Sequence, residues 1–547
     1  MKKIILPIAI FATLASCTSV ASVAQVEKTP QPFVWEGANL YFLLPDRFKN
    51  GNPNNDVNFN RTQKASVLRG FEGGDLRGII QKIDDGYFTD LGINAIWMTP
   101  IVEQIHGATD EGTGKTYGFH GYWTKDWTQL DPNFGTKADL KELVEKAHKK
   151  GIRIVLDAVV NHTGPVTATD AVFPADWVRT SPQCTYQNYQ TTTACTLVAN
   201  LPDILTEDNT PVELPPQLVE KWKKEGRYEA EMKSLDAFFA KTGYPRAAKY
   251  YIMKWLADYI KEFGIDGYRV DTVKHTNEDV WREFQKICQA AFDEFKQNNP
   301  TKVLDAQAFF TVGEVYGYGI SQKQLYDFGD KKVNYYQNGF NSLINFDFKG
   351  DANRSYEEIF SKYSSLLQSD LKGFSVMNYI TSHDDGEPFD IGRKKSYDGA
   401  TKILLAPGIS QIYYGDESAR SLSVAGAYGD ANLRSNMNWE DIKTNPETQK
   451  LLRHYQKLGQ FRAKHPAVGA GVHQKISDTP YWFTRVYKND KVLVGLDLGL
   501  GEKEIAVANI FENGTRLRDV YSGKTTKVAD GKAKINTEYG IVLFEVY

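Results

Sequence analysis

The sequence is short of several things, and each shortage closes off a class of protein. It holds four cysteines among 547 residues, too few for a scaffold built on disulfides, and no Cys/His spacing suited to zinc. Neither sign of charge is in excess: 65 Lys plus Arg face 68 Asp plus Glu, leaving a formal charge of -3. That balance excludes the basic footprint of a nucleic-acid binder. The apolar run at the N-terminus stops at Ala15, short of the ~20 residues that span a bilayer. Internal repeats and low-complexity blocks are missing too. With 41% hydrophobic and 24% charged residues the composition is that of a globular protein, not a disordered one. At about 150 residues per domain the length predicts three or four domains.

Aromatic residues, by contrast, are plentiful: 30 Tyr, 29 Phe and 10 Trp. They pack cores, and the same flat faces stack on sugar rings, so a carbohydrate ligand is permitted but not required. Lys2 and Lys3 precede the run Ile4 to Ala15, the pattern of a secretory signal. Two cleavage readings compete. Leu14-Ala15-Ser16-Cys17 resembles a bacterial lipobox, which leaves Cys17 lipidated, whereas Ser22-Val23-Ala24 suits ordinary cleavage before Gln25. Either way the protein is expected to be exported to the periplasm or cell envelope, touching a membrane only through a lipid anchor. Cys184 and Cys195 lie in a polar, Thr-rich stretch. In an oxidising compartment they are expected to pair, closing a small loop worth roughly 2–3 kcal/mol; two unpaired thiols are the alternative. Cys288 shares a helical face with Val280, Phe284, Ile287 and Ala291 and is expected in the core.

One arrangement recurs along the chain: an amphipathic helix, a glycine, then an apolar run. Leu140, Leu143, Val144 and Ala147 precede Gly151 and the run Ile152 to Val160. Ala248, Ile252, Trp255, Leu256, Tyr259, Ile260 and Phe263 precede Gly264 and Ile265 to Asp271. A third unit passes through Leu91-Gly92 into Ile93 to Pro100. Further strands are expected at Leu40 to Asp46, Phe310 to Tyr316, Ser342 to Phe348, Ser375 to His383 and Ser410 to Tyr414. Eight strands alternating with helices predict an α/β fold, a (β/α)8 TIM barrel, with a doubly wound sheet as the alternative. The stretch between Val160 and Arg246 far exceeds a normal βα loop and predicts an inserted domain over the barrel's C-terminal face. From about Pro466 short alternating runs predict an antiparallel β-sandwich domain. The expected division is a signal over 1–17, a tether over 18–36, barrel over 37–162, insertion over 163–244, barrel over 245–465 and β domain over 466–547.

Polar residues at the C-terminal ends of barrel strands are where chemistry belongs. The third strand ends Asp157-Ala158-Val159-Val160-Asn161-His162, and the fourth reads Gly267-Tyr268-Arg269-Val270-Asp271 before Lys274-His275. The fifth carries Gly313-Glu314-Val315 and the seventh ends Ser382-His383-Asp384. Strand alternation aims Arg269 and Asp271 to the same side. A buried Asp beside an Arg is by itself commonly a structural pair; four such ends meeting at one barrel mouth are not.

These four segments resemble the ordered sequence regions of the α-amylase family, glycoside hydrolase family thirteen. His120-Gly121-Tyr122-Trp123, Leu201-Pro202-Asp203 and Tyr413-Tyr414-Gly415-Asp416-Glu417 extend the resemblance, which runs from residue 38 to the end. Val102 to Gly107, the insertion with its cysteines and Thr242-Gly243-Tyr244 are most similar to the periplasmic type of bacterial α-amylase. The resemblance implies a retaining hydrolase of α-1,4-glucans, with Asp271 as nucleophile, Glu314 as acid/base and Asp384 binding sugar hydroxyls. It implies Tyr122 under the sugar ring, His120, His162 and His383 around it, Asp157 and Arg269 supporting the site, and Lys274 and His275 on the leaving-group side. Glu314 has no basic neighbour in its own motif. Ser382 stands where the family usually has Asn, and Leu205 where a polar residue is usual.

The resemblance also implies Ca²⁺. One ion would clamp the insertion to the barrel through Asn161, Asp203 and the main-chain carbonyl of His275. A second would sit in the loop Asp46 to Asp56, held by Asn50, Asn52, Asn55, Asp56, Asp75 and the carbonyl of Gly73. Expected partners are α-glucans, with no nucleic acid, and a monomer is expected. Two alternatives remain. Leu40 to Ile101 also resembles cyclodextrin glucanotransferases, which pass the same intermediate to a sugar but are expected to carry further domains. A non-catalytic starch-binding protein of the same fold is expected to have lost one of the three carboxylates, and all three are in place.

Overall fold

The computed structural model describes residues 32–547 apart from residue 111. The signal, its two cleavage points and Cys17 therefore lie outside the described residues. Eight parallel strands form a closed barrel: β1 (Asn39–Leu43), β2 (Ala95–Met98), β3 (Arg153–Ala158), β4 (Gly267–Val270), β5 (Phe310–Gly313), β6 (Ser342–Asn345), β7 (Ser375–Asn378) and β8 (Ile409–Tyr413). Neighbours run in sequence order around the ring, with β1 paired to both β2 and β8. Every barrel strand is buried along its whole length, which is why each reads as a continuous apolar run. The observed strands end earlier than the sequence runs suggest. Beyond each rim the same apolar stretch turns into the loops that carry the polar groups.

Helices α1 (Leu76–Asp84), α2 (Lys137–Lys149), α3 (Ala248–Phe263), α4 (Glu278–Asn298), α5 (Tyr356–Gln368), α6 (Ser396–Leu405) and α7 (Pro446–Lys464) ring the barrel. α3 ends on Gly264 at φ 71°, whose N–H bonds the Ile260 carbonyl. That left-handed turn aims the chain straight into β4, and only glycine adopts it without strain. The connection from β5 to β6 departs from the βα rhythm. Among the described residues it holds a short hairpin, Tyr326–Asp327 with Lys332–Val333, and no α-helix. Tyr318, Tyr335, Tyr336 and Phe340, all buried, pack this stretch.

The insertion after β3 contains the helices Pro216–Lys224 and Tyr228–Thr242, and its Trp222 and Phe239 pack edge-on against Trp255 and Tyr251 of α3. Cys184 and Cys195 are bonded within it, and Cys288 is a free, buried core thiol. The last domain has strands β9 (Val472–Asp478), β10 (Tyr481–Tyr487), β11 (Asp490–Leu496), β12 (Gly501–Ala506), β13 (Arg516–Asp519), β14 (Thr525–Lys527), β15 (Lys532–Thr537) and β16 (Val542–Val546). A six-stranded sheet in the order β9-β10-β11-β16-β13-β14 accompanies the pair β12-β15, around a separate apolar core that includes Trp482, Ile505, Leu517 and Phe544. The tether ends before residue 36: Trp35 stacks on Phe310 at 3.8 Å, and Phe33 lies under the Arg153 guanidinium at 3.4 Å. These residues plug the bottom of the barrel, the face away from the chemistry.

Candidate active site

The parallel registers of the barrel bring the polar strand ends together. Arg269 pairs with Asp157 across the β3–β4 ladder, so their side chains rise side by side. The buried guanidinium then reaches three carboxylates. Its Nη1 donates to Asp271 Oδ1 at 2.7 Å and to both Asp157 oxygens at 3.1 Å, while Nη2 lies 3.0 Å from Glu314 Oε2. Glu314 is thus not without a basic partner; the cation comes from the neighbouring strand, which its own motif does not reveal. Thr272, in the left-handed region at φ 50°, turns the chain after Asp271 and donates its N–H to Glu314 Oε2 at 2.9 Å.

The electrostatics separate the carboxyls. Burial pushes Glu314 up to about 7, and the charges of Asp271 and Asp384 add to it against the pull of Arg269. Burial pushes Asp271 up to about 6, again opposed by Arg269. Both carboxyls are thus raised by burial against the same guanidinium and titrate as a coupled set. Asp384 goes the other way: burial raises it, but His383 and Arg434 outweigh that and hold it well below the usual carboxylate range.

Tyr122 is fixed from every side. Its hydroxyl donates to Asp157 Oδ2 at 2.9 Å, its N–H to His120 Nδ1 at 3.1 Å, and its carbonyl accepts from His162 Nε2 at 3.1 Å. Its ring lies nearly parallel to that of His383, centroids 5.4 Å apart. His162 is committed to Tyr122 through Nε2, and its Nδ1 is buried without a partner. Lys274 donates to the Tyr316 carbonyl at 2.9 Å and to the Tyr326 hydroxyl at 3.3 Å, and His275 Nδ1 meets the Thr192 carbonyl at 3.1 Å.

Several residues of the site escaped the sequence reading. Arg434, at the end of the turn Gly429–Arg434, bonds Asp384 through Nη2 and the His383 carbonyl through Nε at 3.0 Å. Its Nη1 reaches Asp430 at 2.9 Å, and Arg69 reaches the same Asp430 at 2.6 Å. Trp97 Nε1 donates to Asp157 at 3.1 Å. In sequence, Asp430 and Arg434 are an i,i+4 pair of the kind that usually faces solvent. Their bonds to Arg69, after β1, and to His383 and Asp384, after β7, hold them over the barrel mouth. With Arg69, His120, Tyr122 and Asp384 they line a cavity of about 210 Å³.

A family model described as Alpha amylase, catalytic domain, matches residues 42–425. The chain belongs to the α-amylase family. It is 36% identical over 524 residues to the Periplasmic alpha-amylase of Escherichia coli (strain K12), covering 85% of this chain and 73% of that one. Among solved structures it is similar to an Anoxybacillus alpha-amylase, with a TM-score of 0.64 and 25% identity over 94% of this chain and 99% of the other. CldA, described as the first cyclomaltodextrin glucanotransferase with a three-domain ABC distribution, shares the fold at a TM-score of 0.65 and 20% identity, over 93% of this chain and 99% of the other. That protein corrects one expectation: additional domains do not separate glucanotransferases from this α-amylase-family glycoside hydrolase.

The two calcium positions differ in how well their residues suit an ion. At the first, Asp203 Oδ1 and Asn161 Nδ2 are buried and make no well-formed hydrogen bond. Asn161 Oδ1 accepts from Thr276 Oγ1 at 3.1 Å and Asp203 Oδ2 from Arg179 Nε at 2.7 Å. Burial pushes Asp203 up to about 8, against the pull of Arg179 and of the Asn161 amide, which lies close enough to lower it. A buried carboxylate oxygen without a well-formed hydrogen bond suits a hard cation. Among the described residues no three His, Cys, Asp or Glu side chains cluster as metal ligands, so amide and carbonyl oxygens would complete the shell. At the second, residues 50, 52, 55, 56, 73 and 75 come together; Asn55 Oδ1 is buried without a partner, but the two carboxylates already accept hydrogen bonds. Asn50 donates to both Asp56 oxygens at 2.9 and 3.0 Å. Asp75 caps α1 by accepting from Gly78 N at 2.7 Å, and also takes Gly51 N at 3.1 Å and Asn52 N at 2.8 Å. A Cβ on Gly73, at φ +90°, would strike Asn50 Nδ2 at 2.6 Å. With both carboxylates engaged, this donor set fits an ion less well than the first. The Asn50 amide occupies the place of the positive charge beside Asp56.

Proposed function

We propose that the protein is an exported hydrolase that cleaves α-1,4-glucosidic bonds of starch, maltodextrins or maltooligosaccharides with retention, through a covalent glycosyl-enzyme. The observation that carries this reading is one guanidinium, Arg269, bonded to Asp271 and Glu314 at once. Carboxyls sharing so small a cation suit the ~5–5.5 Å separation of a retaining pair better than the wider gap an inverting pair needs for water. Asp271, kept ionised by Arg269, attacks the anomeric carbon as Glu314 gives its proton to the departing glycosidic oxygen. Glu314, now a carboxylate, takes a proton from water, which displaces Asp271 and restores both groups. Asp384, ionised and lining the cleft, accepts sugar hydroxyls as the ring flattens. Tyr122 supplies the flat face beneath that ring.

Calcium at Asn161, Asp203 and the His275 carbonyl would neutralise the buried Asp203 and brace the insertion beside the cleft. Export to the periplasm is supported by the N-terminal signal pattern, by the bonded cysteines and by the relative named periplasmic. The test of the mechanism is Glu314→Gln. It should lose glucan hydrolysis yet keep most of kcat/KM for an α-maltosyl fluoride, whose leaving group needs no proton, while kcat on the fluoride falls because water has lost its base. Equal loss of kcat/KM on both substrates would remove Glu314 from the acid role. The second reading, a 4-α-glucanotransferase, is favoured by the three-domain glucanotransferase of the same fold. In that case maltooligosaccharides would redistribute in length faster than reducing ends appear.

A further inference from the structure

Glu314 is wrapped by the turn that follows the nucleophile, with Thr272 N–H on its carboxylate and Val273 N–H on its carbonyl at 2.9 Å each. An acid that protonates the departing oxygen stands on the leaving-group side of the ring. Lys274 and His275, next in that turn, therefore border the leaving-group sugars, an assignment that rests on the function proposed above. Neither side chain is held by the barrel alone. His275 Nδ1 meets the carbonyl of Thr192 at 3.1 Å. A carbonyl can only accept, so Nδ1 carries a proton, and in the neutral imidazole Nε2 is then the acceptor. Tyr186, at φ 58°, sets its ring edge-on to His275 at 5.7 Å. Thr192 and Tyr186 both lie inside the loop closed by Cys184 and Cys195.

The same loop grips the hairpin that holds Lys274. Tyr189 N–H donates to Asp330 Oδ1 at 2.9 Å, its ring lies under Lys331 Nζ at 3.7 Å, and Phe328 packs edge-on at 5.2 Å. Its hydroxyl bonds Glu278 at the start of α4. Tyr326 of that hairpin is the hydroxyl that accepts from Lys274.

We propose that the Cys184–Cys195 loop is a positioning element for the leaving-group sugars. Its Thr192 carbonyl fixes the His275 tautomer, and its Tyr189 holds the hairpin against Lys274. The covalent closure keeps a polar segment with a single helical turn, Gln190–Thr193, in this one arrangement. Opening it takes two electrons and two protons from a dithiol, which closes to its own disulfide and leaves two thiols.

The test compares maltohexaose, which places sugars on both sides of the scissile bond, with α-maltotriosyl fluoride, which places none on the leaving-group side. In the double variant Cys184→Ser/Cys195→Ser and in Tyr189→Ala, kcat/KM for maltohexaose should fall on the order of tenfold, as for one lost hydrogen-bonded contact. The fall should lie mainly in KM, with a loss on the fluoride at least five times smaller. Tyr189→Phe keeps the ring over Phe328 and should recover most of the loss. Equal losses on both substrates, or none on either, would overturn the assignment. Should the serine variant not fold, wild-type enzyme reduced with dithiothreitol and alkylated after folding gives the same comparison. A wild type that hydrolyses neither substrate would sink the proposed function rather than the loop's role.

Discussion

Arg269 is the residue on which the site depends, because its one guanidinium bonds Asp157, Asp271 and Glu314 together. Asp271→Asn should lower kcat by about 10²–10⁴-fold or more on every substrate, the fluoride included, since the nucleophile serves both. The shifts also set the pH profile. Asp271 must be ionised, so kcat/KM should fall below about 6; Glu314 must be protonated, so it should fall again above about 7. The two limbs belong to the coupled set of carboxyls rather than to single residues. Glu314→Gln assayed on the fluoride should lose the alkaline limb and keep the acid one; an unchanged alkaline limb would contradict the assignment. Arg434→Ala removes a guanidinium that meets Asp384 and should reduce kcat/KM by roughly 10–100-fold, as for a charge-assisted bond. The three carboxylates were legible because each ends a recognisable strand. Arg434, Asp430 and Arg69 were not, because they reach the cleft from loops that only the closed barrel brings together.

At the scale of elements, the eight strands were legible from their apolar runs and the helices that end on glycine. Nothing local marks the missing helix between β5 and β6: the stretch that replaces it is as aromatic as a helix would be. The N-terminal loop shows the other limit. Asn50, Asn52, Asn55 and Asp56 present oxygens in sequence, but which atoms face inward depends on the Asp75 cap, a pairing across two loops. Asp75→Ala should therefore lower stability by about 1–2 kcal/mol through the lost cap, to the same extent with calcium as with chelator. A loss seen only in calcium would restore the ion. At the junction with the last domain, His465 bonds Asp490 and Glu545 at 2.8 Å each. Burial lowers its pKa, but the two carboxylates outweigh it and hold it above its ordinary value. The clamp is thus fully present below the ordinary His pKa of about 6.5 and is lost as pH rises through the raised one. His465→Ala should cost on the order of 3 kcal/mol at pH 6, by thermal unfolding, and less at pH 9.

For the molecule as a whole, the barrel supplies the carboxylates, the insertion supplies the outer wall of the cleft, and the last domain docks on α7 through His465. Calcium at Asp203 would join the first two, so chelation should lower both thermal stability and activity, and Asp203→Asn should blunt the response to calcium. Together, under the proposed function, these parts would carry out a double displacement by two carboxyls on one guanidinium. The most direct measurement is the configuration of the first product, followed by proton NMR while maltohexaose is being cleaved and before mutarotation. The α-anomer should form first and decay toward the mixture. A β-anomer appearing first would mean that water attacks directly and that Asp271 is not the nucleophile.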